Sequence, residues 1–432
     1  MGYAAKDPTT RAEPFNNLTQ YRGDNNNSGI CAEKVIPKNK FAWRFVTDAA
    51  VESSAAVVNY KAYFGSKDTY VYCLDADNGE KIWSYKTGNT VSATPYVAGG
   101  KVYIGSGDRN MYCLDANTGN KTWNFTTKGA ISSSVKEYNG HLYFGCDDGN
   151  VYCLDKTGKK AWNFSITPKR SYVWSTPALN DGLLYIGADI GSQKGRLVCL
   201  DAKSGEFMYD IYSGDIYSSV CISGDNMLFT DGLGNKILNH NRKTGQKIWE
   251  FSTPPGEDGN TYTSPTVHGG KVFFSDYKWT YCLQLNDSNG DKILSQSDVI
   301  WKTPLENWQG GSSPLVVSGR VLIGSSTALH CLYEENGTQE WAYSVDTVIV
   351  SSPVIVNGML YFGCGNGSMY CLECQQEGVV PPDVNITPEE EVLDLYPTIT
   401  IPFAIFVVVD IALLVLIIVV KVKRKGVDKG AG

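Results

Sequence analysis

The chain has 432 residues, enough for one large domain or for two to three ordinary ones with their own hydrophobic cores. Its 44 Gly, 26 Tyr and 10 Trp against only 6 Met favour short strands and tight turns over helices. A formal charge of -7 argues against a protein that binds nucleic acid by neutralising many phosphates, and the 4 His, none paired at helical spacing, do not form the usual zinc-hydrolase pattern.

The N-terminal end of the chain is polar. Residues 1–30 contain no apolar stretch of the kind found in a secretory signal peptide. We assign residues 1–15 to an N-terminal segment, because the repeats described next begin only after it. Residues 16–375 are assigned to a single repeat domain.

A short motif of the type Tyr-Cys-Leu-Asp recurs about every forty residues. Its copies lie at 72–75, 112–115, 152–155, 198–201, 237–239, 281–283, 330–332 and 370–372. A Ser/Thr-rich start, an apolar strand that usually ends in Gly, and a strand with a central aromatic residue such as Trp83 recur in phase with the motif. Turn signals such as Asn78-Gly79 join the last two strands. Four strands per repeat are typical of a propeller blade.

The position of the aromatic strands predicts how the repeats are arranged. Seven copies follow the motif of their own repeat, whereas the eighth, at 41–45, precedes the first repeat. We expect this N-terminal strand to complete the last blade and to close the ring between residues near 43 and near 371. The sequence therefore predicts an all-β protein, an eight-bladed β-propeller of four-stranded blades closed by an N-terminal strand.

These repeats resemble those of the quinoprotein-like propeller family, which is built from PQQ-like repeats. The similarity is clearest in residues 112–119 (YCLDANTG) and 123–125 (WNF), and residues 21–29 are similar to the family's lead-in to its first blade. The resemblance covers about residues 18–374 and implies the propeller fold. It implies less about function, because the same ring serves as an alcohol dehydrogenase, as an outer-membrane assembly lipoprotein and in many surface proteins.

The resemblance also indicates what a catalytic member would need. The dehydrogenases of the family hold a calcium-bound quinone cofactor beneath a disulfide between adjacent cysteines and use a catalytic Asp. This chain has no adjacent Cys pair and no haem-attachment Cys-x-x-Cys-His motif. We therefore assign no catalytic residue and expect no quinone cofactor, so the protein is predicted not to be an enzyme. A quinone (PQQ)-dependent oxidoreductase is the alternative.

The chain has 12 Cys, and 7 of them occupy the same position of the repeat motif. The position lies in a strand that has neighbours on both sides, so these residues are predicted to be small buried hydrophobic side chains. Cysteines at the same position of different blades are expected to lie too far apart for disulfides.

Candidate ligand-binding residues are aromatic. Trp174, Tyr217 and Tyr262 stand just before the first strands of three consecutive blades, near the expected mouth of the central channel, and Tyr172 and Trp308 lie in adjoining loops. Clustered aromatic side chains on loops are suited to stacking on sugar rings or holding an extended peptide. The alternative is that these rings fill the channel or pack between blades.

A polar loop between the third and fourth strands of the sixth repeat has oxygen-bearing residues at the spacing of a calcium loop. The candidate ligands are Asp287, Asn289, Asp291, Ser295 and Asp298. The sixth position is Lys292, where such loops require Gly. A structural calcium site is one prediction, and a polar hairpin extension without a metal is the alternative.

Sequons for N-glycosylation are frequent, which suggests an exterior location. They begin at Asn17, Asn26, Asn124, Asn163, Asn286, Asn336, Asn366 and Asn385.

The C-terminal part predicts a membrane anchor. Residues 376–398 form an acidic stalk, and residues 399–420 include an apolar run of the length that crosses a bilayer as a helix. A basic tail follows at 421–432, so the positive-inside rule places the tail in the cytoplasm and the propeller outside the cell. A tail-anchored cytosolic protein is the alternative.

Taken together, these patterns predict a single-pass cell-membrane protein with an extracellular propeller. Its expected function is non-enzymatic binding or scaffolding at the cell surface, with a glycan or another envelope protein as the partner and no nucleic acid. A sensor that passes ligand occupancy through the stalk is a third hypothesis.

Overall fold

The computed structural model describes residues 16–166, 171–254, 263–305 and 311–378, which form eight sheets, the blades of a propeller, each with four antiparallel strands. The strands of blades 1 to 4 are β2 (Ala56–Val58), β3 (Lys61–Gly65), β4 (Tyr70–Asp75), β5 (Lys81–Lys86); β6 (Tyr96–Ala98), β7 (Lys101–Gly105), β8 (Asn110–Asp115), β9 (Lys121–Thr126); β10 (Lys136–Tyr138), β11 (His141–Cys146), β12 (Asn150–Asp155), β13 (Lys160–Ser165); and β14 (Ala178–Asn180), β15 (Leu183–Asp189), β16 (Gly195–Asp201), β17 (Phe207–Ser213). Within each blade the first strand named is the innermost and the last is the outermost.

Blades 5 to 8 repeat this order with two variations. Their strands are β18 (Cys221–Ser223), β19 (Asn226–Asp231), β20 (Lys236–Asn241), β21 (Lys247–Ser252); β22 (Thr266–His268), β23 (Lys271–Ser275), β24 (Trp279–Gln284), β26 (Val299–Pro304); β27 (Leu315–Val317), β28 (Arg320–Gly324), β29 (Ala328–Tyr333), β30 (Gln339–Ser344); and β31 (Val354–Val356), β32 (Met359–Gly363), β33 (Ser368–Gln376), β1 (Val35–Val46). In blade 8 the outermost strand is β1, whose Trp43 lies opposite Cys371 of β33. In blade 5 a fifth strand, β25 (Ile293–Leu294), pairs with β21 in parallel. A short 3-10 helix, Gln296–Asp298, follows β25.

Tight turns explain why the strands form hairpins at these positions. Asn59 and Tyr60, the two residues between β2 and β3, have φ angles of 52° and 61°. Two consecutive residues with positive φ give the turn whose twist matches that of the flanking strands. Gly99 and Gly100 occupy the same turn in blade 2 with φ angles of 59° and 72°.

Neighbouring blades are joined through the aromatic residue of each outermost strand. Trp43 of blade 8 donates its indole N–H to the carbonyl oxygen of Ala76 in blade 1 at 3.0 Å. Its ring covers Gly79, where an added Cβ would lie 2.6 Å from a ring carbon. Trp83 makes the equivalent bond to Ala116 at 3.1 Å. The glycine of the turn motif is therefore required by the packing of the preceding blade as well as by its positive φ.

All 12 Cys lie in the described part of the chain and are free thiols. Cys73 and Cys113 are buried opposite Trp83 and Trp123, as expected for small hydrophobic side chains. Burial raises the pKa of Cys73 to about 12, which keeps its thiol protonated.

The repeat motif of blade 5 differs from the sequence-based assignment by one residue. Asn239, not Leu238, lies opposite Trp249, the position that Cys113 occupies opposite Trp123. The copy therefore reads 238–241 rather than 237–239. The assignment was wrong because Asn and His replace the Cys and Leu that identify the motif elsewhere.

Residues 18–31, which we call the plug segment, cross one end of the central channel along the free edges of the innermost strands. Leu18 exchanges backbone hydrogen bonds of 2.8 Å with Val57, and the carbonyl oxygens of four further residues of the segment accept hydrogen bonds from inner strands. These donors are the backbone N–H groups of Val97, Leu179, Ile222 and Val316. The plug segment thereby pairs backbone groups that would otherwise be buried without partners.

The predicted N-terminal segment (1–15), most of the stalk (379–398), the apolar run (399–420) and the tail (421–432) lie outside the described residues. Within the described ranges, no helix is long and apolar enough to span a membrane.

Candidate ligand-binding cavity

A cavity of about 510 Å³ lies in the channel at the centre of the ring. Its wall is built by the short connections that lead into the innermost strands, so every blade contributes at least one residue. Each blade supplies one Ser or Thr side chain to a ring of hydroxyl groups in the wall, and blade 2 supplies Ser92 in addition. In chain order the members of the ring are Ser54, Thr94, Ser134, Thr176, Ser219, Ser264, Ser313 and Ser352.

The hydroxyl ring is held by hydrogen bonds between neighbouring blades. The backbone N–H of Ser219 donates to Ser264 Oγ at 2.9 Å, and that of Ser264 donates to Ser313 Oγ at 3.0 Å. The N–H of Ser313 donates to Ser352 Oγ at 3.2 Å, and Ser54 Oγ donates to the carbonyl oxygen of Ser352 at 2.9 Å. The Ser/Thr residues at the start of each repeat thus connect the blades as well as line the cavity.

Tyr21 of the plug segment forms the floor of the cavity. Its hydroxyl oxygen lies 3.4 Å from Ser264 Oγ. Burial acts to raise the pKa of Tyr21, but the nearby Arg22 and the hydroxyls of Ser264, Ser313 and Ser352 outweigh it, and the pKa lies below its ordinary value. The floor therefore favours negative charge on an oxygen atom.

The mouth of the cavity has an aromatic side. Trp174 and Tyr217 both line the wall, with ring centroids 5.1 Å apart, and Trp174 is 46% exposed. Tyr172 packs against Trp174 at 5.3 Å and is itself 45% exposed. The structure brings these three rings together, with Trp174 and Tyr217 in the cavity wall and Tyr172 packed against Trp174, and their role in ligand binding stays a prediction. Tyr262 and Trp308 lie outside the described residues.

Three buried carboxyl groups, those of Asp189, Asp215 and Asp231, lie behind the aromatic side of the cavity. Tyr217 donates its hydroxyl to Asp189 Oδ2 at 2.9 Å, which fixes the orientation of the ring. Burial, reinforced by the charges of Asp189 and Asp231, raises the pKa of Asp215. Sequence analysis missed this group, because Asp189 and Asp231 end strands of two different blades, Asp215 lies in the connection between those blades, and the three share no motif.

The predicted calcium ligands form a self-contained polar loop. Asp287 Oδ1 accepts the backbone N–H groups of Asn289 and Gly290, and its Oδ2 accepts that of Lys292 at 2.8 Å. Asp291 Oδ1 accepts the N–H of Ile293. Ser295 donates its hydroxyl to Asp298 Oδ2 at 2.9 Å.

This loop positions Ile293 and Leu294 so that they pair with β21, which is the arrangement of a hairpin extension. In the part of the chain that the structure describes, no group of three or more His, Cys, Asp or Glu side chains is arranged to hold a metal ion. Calcium binding at the loop stays an untested prediction.

Most of the sequon asparagines lie at the surface. Asn17, Asn124, Asn163, Asn286 and Asn336 are exposed. Asn26 and Asn366 are partly buried, and Asn366 donates its amide to Asp346 Oδ1 at 2.6 Å. Asn385 lies outside the described residues. Glycosylation of these sites stays a prediction.

The cavity wall does not fit the calcium-bound quinone of the resembled dehydrogenases. Its one carboxylate among the described residues is Glu52, whose Oε1 lies 2.5 Å from Lys67 Nζ. A calcium ion requires six to eight oxygen ligands, with carboxylates prominent among them. The remaining polar side chains of the described wall are hydroxyls.

Comparison with solved structures finds the same fold in proteins of different kinds. Quinohemoprotein alcohol dehydrogenase ADHIIG from Pseudomonas putida HK5 has a TM-score of 0.69 and 16% identity, covering 84% of this chain and 81% of that one. The enzyme of the same name from Comamonas testosteroni has a TM-score of 0.67 and 14% identity over 84% and 81%. The computationally designed protein Ika8 has a TM-score of 0.63 and 12% identity over 77% and 99%. At these identities the likeness shows the fold alone.

Among curated proteins, no sequence matches the chain. The family model of PQQ-like repeats described as outer membrane protein assembly factor BamB matches residues 39–251, 147–297 and 287–380. These matches overlap and together cover most of the chain. The protein therefore belongs to this BamB-like family of PQQ-like repeat propellers.

Proposed function

We propose that the protein is a non-catalytic receptor that binds a glycan in the central cavity. The observation that carries the proposal is the wall itself, in which Trp174 and Tyr217 form an apolar face beside a ring of hydroxyl groups. Sugar rings present apolar C–H faces and hydroxyl edges, so this pairing of stacking surface and hydrogen-bond donors suits them. The half-exposed Trp174 leaves the stacking face accessible from solvent.

A membrane location completes the proposal. The apolar run at 399–420 followed by the basic tail supports a single anchoring helix with the propeller outside the cell. Extraction of membranes with alkaline carbonate should leave the full chain in the pellet, and protease added to intact cells should remove the propeller but spare a tag at the C-terminus. Release into the supernatant, or protection of the propeller, would overturn this part of the proposal.

Binding is tested with the purified full chain and a panel of neutral and acidic oligosaccharides. Glycans that bind should raise the melting temperature, because a ligand that binds only the folded state stabilises it. Trp174→Ala should weaken binding by about tenfold or more, since it removes the stacking face. Tyr212→Ala is the matched control, because Tyr212 is a 63% exposed aromatic residue on the outermost strand of blade 4 and is not part of the cavity.

Other outcomes of this experiment identify the competing functions. A folded protein that responds to no glycan would favour an envelope protein as the partner. Stabilisation by quinone and calcium with a new visible absorption band would favour the oxidoreductase and overturn the proposal.

A further inference from the structure

The plug segment places positive charge beneath the floor of the cavity. Arg22 is only 5% exposed, and its guanidinium donates to four backbone carbonyl groups and to the hydroxyl of Thr266. It makes no ion pair with any described carboxylate. Lys136 donates to the carbonyl oxygens of Tyr21 and Asp24, and burial, only partly offset by Asp24, lowers the pKa of Lys136 to about 7. Arg22 is therefore the fixed charge below the floor.

The ring of eight hydroxyl side chains above Arg22 presents hydrogen-bond donors to the cavity. Six of its eight hydroxyl oxygens accept a backbone N–H group from the preceding blade. A hydroxyl that accepts in this way still has its proton to donate, so the ring offers O–H groups to the cavity. The three on one side, Ser264, Ser313 and Ser352, face the phenolic oxygen of Tyr21.

Tyr21 shows that these donors and Arg22 stabilise negative charge on an oxygen atom near them. The pKa of Tyr21 lies below its ordinary value although burial alone would raise it. The same surroundings would stabilise the carboxylate of a ligand, because charged acceptors form stronger hydrogen bonds than neutral ones. The one carboxylate that lines the described part of the wall, Glu52, is already paired with Lys67.

We propose that the cavity selects an acidic sugar of the uronic acid class, with its carboxylate directed toward Ser264, Ser313 and Ser352 and its ring against Trp174. This inference rests on the proposed function and adds the charge of the ligand to it. Arg22 acts through the floor as a positioning and electrostatic residue and does not touch the sugar.

The test uses three monosaccharides that share one ring but differ in charge: sodium glucuronate, glucose and glucosamine. Calorimetric titration of the full chain should give the tightest binding for glucuronate, about tenfold tighter than glucose, and the weakest for glucosamine. Ser313→Ala should remove most of this preference, because it deletes a donor to the carboxylate.

Ser312→Ala is the matched control for Ser313→Ala. Each hydroxyl accepts one backbone N–H group, that of Gly324 at 3.1 Å for Ser312 and that of Ser264 at 3.0 Å for Ser313, but only Ser313 lines the cavity. Both variants should therefore lose similar stability, and only Ser313→Ala should lose the preference for glucuronate.

A spectroscopic readout keeps the test valid if Ser313→Ala does not fold. The difference in ultraviolet phenolate absorbance between the wild type and Tyr21→Phe reports the ionisation of Tyr21. Glucuronate should shift this ionisation to higher pH, because its carboxylate disfavours a second negative charge at the floor, and glucose should not.

The two proposals fail in different ways. Equal binding of glucuronate and glucose that still depends on Trp174 would overturn the acidic-sugar inference and leave glycan binding intact. Preference for glucuronate that survives Ser313→Ala, with no effect on Tyr21, would also overturn the inference. Absence of binding by all three sugars and by the oligosaccharide panel would overturn both proposals.

Discussion

Blades 2 and 5 have the same order of four strands but different interiors. In blade 2, Cys113 and Leu114 are buried beside Trp123, as the repeat motif predicts. In blade 5 the same positions hold Asn239 and His240. Both replacements are buried polar side chains, which cost free energy unless they are hydrogen-bonded or neutral.

Blade 5 offsets this cost only in part. Asn239 donates its amide to Asn226 Oδ1 at 2.8 Å, and His240 stacks on Phe229 with ring centroids 5.5 Å apart. Asn239 Oδ1 and His240 Nδ1 have no hydrogen-bond partner among the described residues. Burial and, to a lesser extent, Lys247 lower the pKa of His240 to about 4, so its ring is neutral at physiological pH.

The fifth strand supplies an additional contact that blade 2 lacks. Leu294 of β25 packs in one hydrophobic cluster with Trp249 and Phe251 of the outermost strand of blade 5. Trp249 is 0% exposed as a result, whereas Trp123 in blade 2 is partly exposed. The comparison indicates that the turns and the aromatic packing between blades are enough to keep the four-stranded blade folded. The buried residues of its third strand can therefore vary.

The largest effect is expected for Trp249→Ala. It removes a fully buried indole and the 2.6 Å hydrogen bond from Trp249 to the carbonyl oxygen of Leu285, and should lower the free energy of unfolding by about 3–5 kcal/mol. Trp123→Ala should cost less, because Trp123 is already partly in contact with water. Urea unfolding of the two variants measures the difference, and equal losses would show that β25 adds nothing to blade 5.

His240→Leu should make blade 5 resemble blade 2. Because folding lowers the pKa of His240 from 6.5 to about 4, the protonated ring disfavours the folded state, and the stability present above pH 6.5 is lost as the pH falls through 4. This loss is on the order of 3 kcal/mol for the wild type and should be absent from the variant. Unfolding measured across this pH range, with His141→Leu as the control, tests it. A variant with the same acid sensitivity as the wild type would contradict it.

Asp287→Ala should weaken the pairing of β25 with the outermost strand of blade 5. Burial acts to raise the pKa of Asp287, but the N–H groups of Lys292, Gly290 and Asn289 lower it below its ordinary value, which shows that the carboxylate organises the loop that leads to β25. The variant should have a lower melting temperature by the same amount with and without calcium. If calcium raises the melting temperature of the wild type only, the loop is a calcium site after all.

The smallest effect is expected for Cys113→Ala in blade 2. The thiol is buried and burial raises its pKa to about 11, so it acts as a small hydrophobic group, and its replacement should change the free energy of unfolding by about 1 kcal/mol or less. The native wild type should show slow reaction of this thiol with a disulfide reagent at neutral pH. Rapid reaction would show that blade 2 opens locally.

Several features of the site could be read from the sequence. Trp174 and Tyr217 were placed in the wall because they precede the innermost strands at the same position of consecutive repeats. The hydroxyl ring follows from the Ser/Thr pairs that begin each repeat. The floor could not be predicted, because Arg22 bonds to Ser264, 242 residues away in the sequence, and no local pattern encodes that distance.

The sequence by itself determined the number of blades, the position of nearly every strand and the burial of the cysteines, because strand alternation, turn residues and the repeat period act over a few residues. Tertiary structure decided the path of residues 18–31 across the channel, the assembly of Tyr21 with the hydroxyl ring, and the pairing of residues 293–294 with blade 5. These arrangements depend on which backbone edges and cavities the ring leaves open, and those exist only once all eight blades are in place.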